Sequence, residues 1–184
     1  MAADGLPRIS ALLAGLLFLS PPGGGRKEMV MTPVPTPATL EIVLPAEEYL
    51  PGREIIATIR LRNTGDRPLW MNRRMLLNSR HAPAPFRELS LEIRGPGGRA
   101  VDFNCKVRAG HPQPKNYALV AARSAIEQRV DLTGCFDLSD AGAYQLVAHY
   151  CDGNETPPAP PGGSVPLVGE VVSDPARIEI LANR

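Results

Sequence analysis

Hydrophobic and polar residues alternate along two stretches of the chain, and each stretch predicts a β-strand. In residues 54–63 the apolar positions on one face are Ile55, Ala57, Ile59 and Leu61. In residues 143–150, after a turn at Gly142, they are Tyr144, Leu146, Ala148 and Tyr150. A period of two residues is typical of a strand with one buried face. A helix starting at Ser139 or Asp140 is the alternative for the second stretch, but Gly142 in its first turn disfavours it.

Shorter apolar stretches extend the same pattern along most of the chain. They predict further strands at residues 39–44, 68–71, 89–93, 100–103, 125–132, 167–172 and 176–181. Ser173-Asp174-Pro175 lies between the last two, where it predicts a bulge or a kink because proline cannot donate a ladder hydrogen bond. The sequence therefore predicts an all-β fold.

Residues 104–122 break the alternation and predict a long surface loop. Because loops on β scaffolds carry function, its basic and aromatic residues are candidates for binding a partner: Lys106, Arg108, His111, Lys115 and Tyr117. The proline-rich residues 152–166 form a second predicted loop, which the strand count places at the same end of the domain. The alternative is that residues 104–122 are an ordinary connection.

The segment from Asp140 to Tyr144 resembles the tyrosine corner of immunoglobulin-like domains. The resemblance implies an antiparallel immunoglobulin-like β-sandwich of about seven to nine strands, in which the Tyr144 hydroxyl bonds back to the preceding corner. It implies a structural role for Gly142 and Tyr144, and for Trp70, which this fold often buries against the second sheet. Leu146 stands where antibody domains have the second cysteine of their inter-sheet disulfide, so that disulfide is absent.

A second resemblance lies around the first strong strand. Pro51-Gly52-Arg53-Glu54 precedes it and Asn63-Thr64-Gly65-Asp66 follows it, which is similar to the opening hairpin of bacterial immunoglobulin-like modules of the adhesion-related and proteinase-inhibitor-like types. These turn and strand motifs occur in proteins of many functions, so they indicate a fold and not a role.

The N-terminal residues predict export. Residues 1–25 have Arg8, an apolar run and then a Pro- and Gly-rich segment, which is typical of a signal peptide. A buried N-terminal helix is the alternative. Residues 26–38 are a proline-rich linker, and residues 39–184 form the domain. We therefore expect a secreted or periplasmic protein with no membrane span in the mature chain.

Charge and composition narrow the class of partner. Lys plus Arg number 20 against 19 Asp plus Glu, and a net charge of +1 provides no field for nucleic acid or an anionic membrane. Residues 60–87 are rich in arginine and residues 127–179 are mostly acidic. Either these are solvated faces that complement each other, or the arginines line a patch for an acidic partner, such as another exported or cell-surface protein.

Three cysteines in an exported chain predict one disulfide and one free thiol. A strand running from residue 143 to Cys151 begins near Cys135 and ends about 25 Å away. A strand ending at Cys105 finishes at that same far end. We therefore predict a Cys105–Cys151 disulfide and a free Cys135.

No catalytic or metal-binding motif stands out. The three histidines, His81, His111 and His149, have no ligand spacing, and no nucleophile elbow or phosphate loop is present. We expect no cofactor and a non-catalytic binding or structural module. A proteinase-inhibitor-like protein that uses a surface loop is the first alternative. An enzyme whose site is assembled across strands, with His111 and His149 as candidates, is the second.

Overall fold

The computed structural model describes residues 37–83, 86–152, 158–162 and 164–182, which form an all-β fold. The strands are β1 (Ala38–Val43), β2 (Glu48–Tyr49), β3 (Ile56–Asn63), β4 (Leu69–Asn72), β5 (Leu89–Arg94), β6 (Ala100–Val101), β7 (Tyr117–Val120), β8 (Ala125–Asp131), β9 (Gly142–Cys151), β10 (Val165–Pro166), β11 (Glu170–Val172) and β12 (Ala176–Ile180). A one-turn helix, α1 (Leu132–Cys135), follows β8. The predicted signal peptide, residues 1–25, and most of the predicted linker, residues 26–38, lie outside the described residues.

The strands form three sheets. In the largest, β9 pairs with β5, β11 and β12, while β6 and β2 lie at the two ends in the order β2-β12-β9-β5-β6. The second sheet has the order β1-β3-β8 and the third β10-β4-β7. Most pairings are antiparallel, but β12–β2 and β10–β4 are parallel. The sheets thus differ from the purely antiparallel prediction, because two-residue pieces of connecting chain lie beside longer strands.

The two alternating stretches form the buried centre of the fold, as predicted. Each stretch has four apolar side chains on its buried face, and all eight of these side chains are at most 2% exposed. Leu69 and Met71 of the third sheet join the same hydrophobic core. Because all three sheets contribute to one core, the described strands fold around a shared interior.

The turn before β9 needs a glycine. Gly142 has φ +130°, and a Cβ atom there would lie 2.9 Å from Pro96 Cγ. Both the backbone conformation and the close contact exclude an ordinary side chain. Two residues later, the Tyr144 hydroxyl donates to the Asp140 carbonyl at 2.9 Å. The predicted hydrogen bond of the corner is therefore present, and it gives a buried ring a satisfied donor.

The predicted bulge lies between β11 and β12. Val172 is opposite His149, and Ala176 is opposite Leu146. Between these two pairs the chain advances four residues from β11 to β12 but only three along β9, so one residue is extra. Ser173 fills the irregular position: its amide donates to the Ala148 carbonyl and its hydroxyl accepts from the Ala148 amide, both at 2.9 Å. The serine replaces the ladder bonds that Pro175 cannot make.

The prediction of a loop throughout residues 104–122 is wrong at its C-terminal end. Tyr117–Val120 forms β7 and pairs with β4, because the free edge of β4 supplies its hydrogen bonds. Trp70, on β4, is half-buried and stacks on Tyr117 with ring centroids 5.8 Å apart. Its indole nitrogen donates to the Pro158 carbonyl at 3.1 Å. Trp70 thus packs at the rim of the fold, beside the proline-rich loop.

Two ion pairs connect the arginine-rich and acidic segments of the chain. Arg60 pairs with Glu127 at 2.7 Å across β3 and β8, and Arg80 pairs with Glu170 at 2.9 Å. These pairs support the interpretation of complementary segments for part of the arginine-rich region. Within the described ranges, no helix has both the length and the apolar character needed to cross a bilayer.

Candidate functional site

The first part of the predicted loop, residues 102–110, is extended and its exposure alternates. The half-buried side chains are Phe103, Cys105, Val107 and Ala109, and the exposed positions are Asp102, Asn104, Lys106, Arg108 and Gly110. This segment therefore holds its apolar side chains against the domain and presents two cationic side chains to solvent.

A disulfide fixes the start of this segment, and it corrects the predicted pairing. Cys105 is bonded to Cys135, with a Cα–Cα distance of 4.8 Å, and Cys151 is free. The predicted Cys105–Cys151 disulfide is wrong because Phe103 pairs with Phe136 in an antiparallel bridge, which brings the chain beside α1. The two rings meet edge to face at 5.4 Å. Cys151 lies instead at the far end of β9.

A buried ion pair fixes the other end of the segment. The Glu88 carboxylate is fully buried and accepts from Arg74 Nε at 2.9 Å, with a second close contact from Arg74 Nη2. The same Nη2 donates to the Gly110 carbonyl at 2.9 Å. Losing Arg74 would leave a buried charge without its partner, which is strongly destabilising. Arg74 thus couples the loop to the interior.

The two predicted loops meet at a buried hydrogen bond. The Tyr117 hydroxyl donates to Asp152 Oδ1 at 2.6 Å. Burial raises the pKa of Asp152 to about 6, and the nearby Glu88 charge adds to that effect, although the Tyr117 hydrogen bond opposes it. The neighbouring Tyr150 hydroxyl donates to the Asn72 carbonyl at 2.9 Å. These polar groups connect residues 104–122 with the beginning of the proline-rich loop.

Strand pairing along one edge of β5 is interrupted at Leu91, a core residue that is 5% exposed. On its other side β5 pairs with β9, where the Cys151 amide donates to the Glu88 carbonyl. Antiparallel hydrogen bonding alternates, so Ser90 and Glu92 bond to β9 while Leu91 points its amide and carbonyl away. Ala148, which lies opposite Leu91, uses its own amide and carbonyl to bond Ser173, in agreement with this register.

The positions on either side of Leu91 are paired along this edge of β5. Leu89 is paired to the incoming chain, with its carbonyl accepting from the Asn78 amide at 2.9 Å. Ile93 is paired with Val101 of β6. Phe103, two residues beyond Val101, forms an antiparallel bridge with Phe136, where the Asn104 amide donates to the Cys135 carbonyl at 2.8 Å. Among the described residues Leu91 has no assigned strand partner on this side.

A cleft of about 470 Å³ occupies the opening beside Leu91. It is lined by Ser79, Arg80, His81, Arg87, Leu91, Glu92, Ile93, Ala100, Val101, Asp102 and Phe103. Arg87 donates from Nη1 to the Arg80 carbonyl at 3.1 Å, and it makes no ion pair within the part of the chain that the structure describes. The cleft thus contains a guanidinium group that forms no ion pair among the described residues.

A second cleft, of about 390 Å³, shares Ser79 and His81 with the first. Val107 and Ala109 of the extended segment line it, together with Phe86. His111 packs on the Phe86 ring with centroids 5.1 Å apart. The exposed cationic side chains of the segment therefore alternate with residues that line a cleft.

Three polar residues of the largest sheet, Ser90, His149 and Glu170, lie close together. Ser90 and His149 are cross-strand neighbours, and His149 Nδ1 is 3.2 Å from Glu170 Oε1 without the geometry of a hydrogen bond. Burial lowers the pKa of His149, and the Arg80 charge lowers it further, whereas the nearby Glu170 raises it. Ser90 is fully buried and its hydroxyl has no hydrogen-bond partner among the described residues. The trio resembles a catalytic set in composition, but the serine is neither activated nor accessible.

The sequence-predicted partner-binding residues separate into two groups. Lys106, Arg108, His111 and Lys115 are exposed, whereas Tyr117 is 5% exposed and supports Asp152. The sequence analysis included Arg87 only within the arginine-rich residues 60–87, as part of a possible patch for an acidic partner. Its position in a cleft has no sequence signal.

The chain matches no protein-family model, and no curated protein matches it at a significant level. In the described ranges no group of three or more His, Cys, Asp or Glu side chains converges to hold a metal ion.

Proposed function

We propose that the protein is an exported, non-catalytic binding module with an immunoglobulin-like sandwich fold, and that it binds an acidic segment of another exported or cell-surface protein. The Tyr144 corner and the core shared by three sheets support the fold. The Cys105–Cys135 disulfide is compatible with an oxidising compartment. The binding surface is the pair of clefts on either side of Ser79 and His81.

The arrangement of cations is the observation that carries this proposal. Arg87 lines one cleft, and Lys106 and Arg108 flank the residues that line the other. None of the three forms an ion pair within the described residues, whereas Arg60, Arg74 and Arg80 do. Cations at a cleft that have no carboxylate partner of their own attract an anionic ligand and speed its association.

Affinity selection from a synthetic library of random soluble peptides with free C-termini tests this function. We expect the bound peptides to be enriched in Asp and Glu, and the enrichment to fall with rising salt because exposed charges are screened. The double variant Lys106→Glu/Arg108→Glu should lose the enrichment. Arg129→Glu, an exposed change on β8, is the matched control and should keep it. Selection without acidic enrichment by the unchanged protein would reject the proposal.

Inhibition of a protease is a second candidate function, and the fixed conformation of residues 105–110 favours it. Lys106 and Arg108 are exposed on an extended segment fixed by the disulfide at Cys105 and by Arg74 at Gly110. A loop that is already ordered loses little entropy when it enters a protease cleft. We expect inhibition of trypsin, which cleaves after Lys and Arg, to be lost in Lys106→Ala or Arg108→Ala and retained in Lys115→Ala. Uninhibited trypsin would dismiss this candidate and leave the first one standing.

A further inference from the structure

The two clefts differ in the side chains that line them. The first contains charged groups, among them Arg80, Arg87 and Glu92, whereas most side chains of the second are apolar. From this difference we infer that the second cleft takes one large apolar side chain of the acidic partner, and that acidic residues flank that side chain in the partner's sequence. The inference rests on the proposed function, because it names the motif by which the acidic segment is recognised.

The apolar lining of the second cleft is accessible and does not belong to the core. Phe86, Val107 and Ala109 are half-buried, and Pro83 is exposed. None of these four is among the described residues that form the hydrophobic core or pack against it. They therefore form a separate apolar cluster under the surface loops. Because their apolar area is still partly in contact with water, a partner side chain that covers it gains free energy.

The volume of the second cleft allows a large side chain to enter it. At about 390 Å³ it is comparable to the smaller ligand pockets of proteins, which begin at roughly 300 Å³. The Phe86 ring lies in its lining, and His111 packs on that ring with centroids 5.1 Å apart. An aromatic side chain in the cleft can pack against Phe86, and aromatic pairs are stabilised beyond their buried area. We therefore expect the side chain to be that of Phe, Tyr or Trp.

Both walls of the second cleft are held by contacts within the protein. Val107 and Ala109 lie between the disulfide at Cys105 and the Gly110 carbonyl, which accepts from Arg74 Nη2 at 2.9 Å. On the opposite wall, Asn78 Nδ2 donates to the Phe86 carbonyl at 3.0 Å. A cleft with walls that are ordered before binding loses little conformational entropy when a side chain enters it.

The charges beside the second cleft favour acidic residues next to the apolar side chain. Lys106 and Arg108 are exposed and alternate with Val107 and Ala109, so the two cations lie about 7 Å apart along the segment. Neither has an ion pair among the described residues, and no described residue of the cleft lining is a carboxylate. Acidic residues that flank the apolar side chain therefore meet two cations and no like charge in the lining.

The peptides selected on the unchanged protein provide the first test. We expect an aromatic residue to be enriched within two positions of Asp or Glu. The tightest such peptide is synthesised in its selected form and with the aromatic residue replaced by alanine, and both are titrated by calorimetry. The replacement keeps the charge of the peptide and should weaken binding about 10- to 100-fold, as for loss of a buried aromatic side chain.

The outcomes of this test separate the inference from the proposed function. Acidic peptides selected without an aromatic residue, or equal affinities of the two forms, would overturn the inference and leave the binding of an acidic segment intact. Selection without acidic enrichment would reject the proposed function and this inference with it.

Nuclear Overhauser effects locate the bound side chain without a protein variant. We expect effects between the aromatic protons of the bound peptide and the methyl groups of Val107 and Ala109, because both residues line the second cleft. A bound peptide with aromatic protons that show effects only to methyl groups elsewhere in the protein would overturn the inference.

Ala109→Phe tests the cleft by filling it. The added ring takes up volume in the second cleft, so the affinity ratio between the aromatic and alanine forms of the peptide should fall to near one. Ala121→Phe, the same change at an exposed position outside the lining of both clefts, is the matched control and should preserve the ratio. The ratio is measured within one variant, so it does not depend on how much of each preparation is folded. A ratio preserved in Ala109→Phe would refute the assignment of the side chain to this cleft.

Discussion

Replacing Asp152 by Asn is expected to stabilise the protein above pH 6 and to leave its stability unchanged near pH 4. The Asp152 carboxylate is 8% exposed and lies near the buried Glu88 charge. Burial raises its pKa from the ordinary value of 3.8 to about 6. Asn keeps an oxygen that accepts the Tyr117 hydroxyl, but it carries no charge to be desolvated.

The magnitude follows from that pKa difference. A shift of about two units corresponds to roughly 3 kcal/mol. Asp152 lies at the rim of the core, where water screens part of the effect, so we take about half, or 1–2 kcal/mol. Because the folded-state pKa lies above that of the unfolded chain, the unfolded chain loses its proton first between pH 4 and pH 6. The wild-type protein is therefore progressively destabilised over that range, and the full cost is present above pH 6.

Urea unfolding from pH 4 to pH 8 measures this directly. The difference in unfolding free energy between Asp152→Asn and the wild type should rise from near zero at pH 4 to its full value by pH 7. Asp174→Asn removes an exposed carboxylate and is the matched control, with no comparable rise expected. A variant that is less stable than the wild type at pH 7 would show that the hydrogen bond from Tyr117 outweighs the cost of burial. A difference independent of pH would refute the reasoning as well.

Four further variants test the scaffold. Tyr144→Phe removes the hydroxyl that closes the corner and should cost about 1 kcal/mol in urea unfolding while peptide binding is unchanged. Gly142→Ala should cost about 2–3 kcal/mol in the same assay, because φ +130° and the contact with the ring of a proline are both unfavourable for a side chain. Replacing Cys105 and Cys135 together by Ser should cost about 3–4 kcal/mol, given their separation of 30 residues. Cys151→Ser should cost less, and a non-reduced digest should contain a cross-linked Cys105–Cys135 peptide and none with Cys151.

The strongest strands were predictable because burial repeats at a fixed period. β9, and β3 together with its preceding residue Ile55, each have a buried face of four apolar side chains, and no local residue opposes the strand. The turn at Gly142 was predictable for a similar reason, since glycine accepts a positive φ. Patterns of this kind are local, so they can be recognised in the sequence without knowing which strands pair.

β7 could not be predicted from the sequence because it forms by pairing with a strand that is distant along the chain. Tyr117–Val120 follows a proline-rich stretch and its exposure does not alternate cleanly. It becomes a strand because the edge of β4 is available beside it. The disulfide was mispredicted for a related reason, since the path of the chain at Phe103 decides which cysteine Cys105 meets. The interruption of strand pairing at Leu91 likewise depends on how distant parts of the chain align with β5, namely Leu77, Val101 and Phe103.

The path of the chain at Phe103 explains why the disulfide was mispredicted. Phe103 forms a bridge with Phe136, which brings Cys105 to Cys135. Along the nearby edge of β5, Leu77 bridges Leu89 and Val101 pairs with Ile93, so among the described residues one position between them has no assigned partner. An uncovered strand edge normally invites pairing with other chains and aggregation. A gap of one residue, with Leu91 only 5% exposed, is too short and too buried to template a foreign strand.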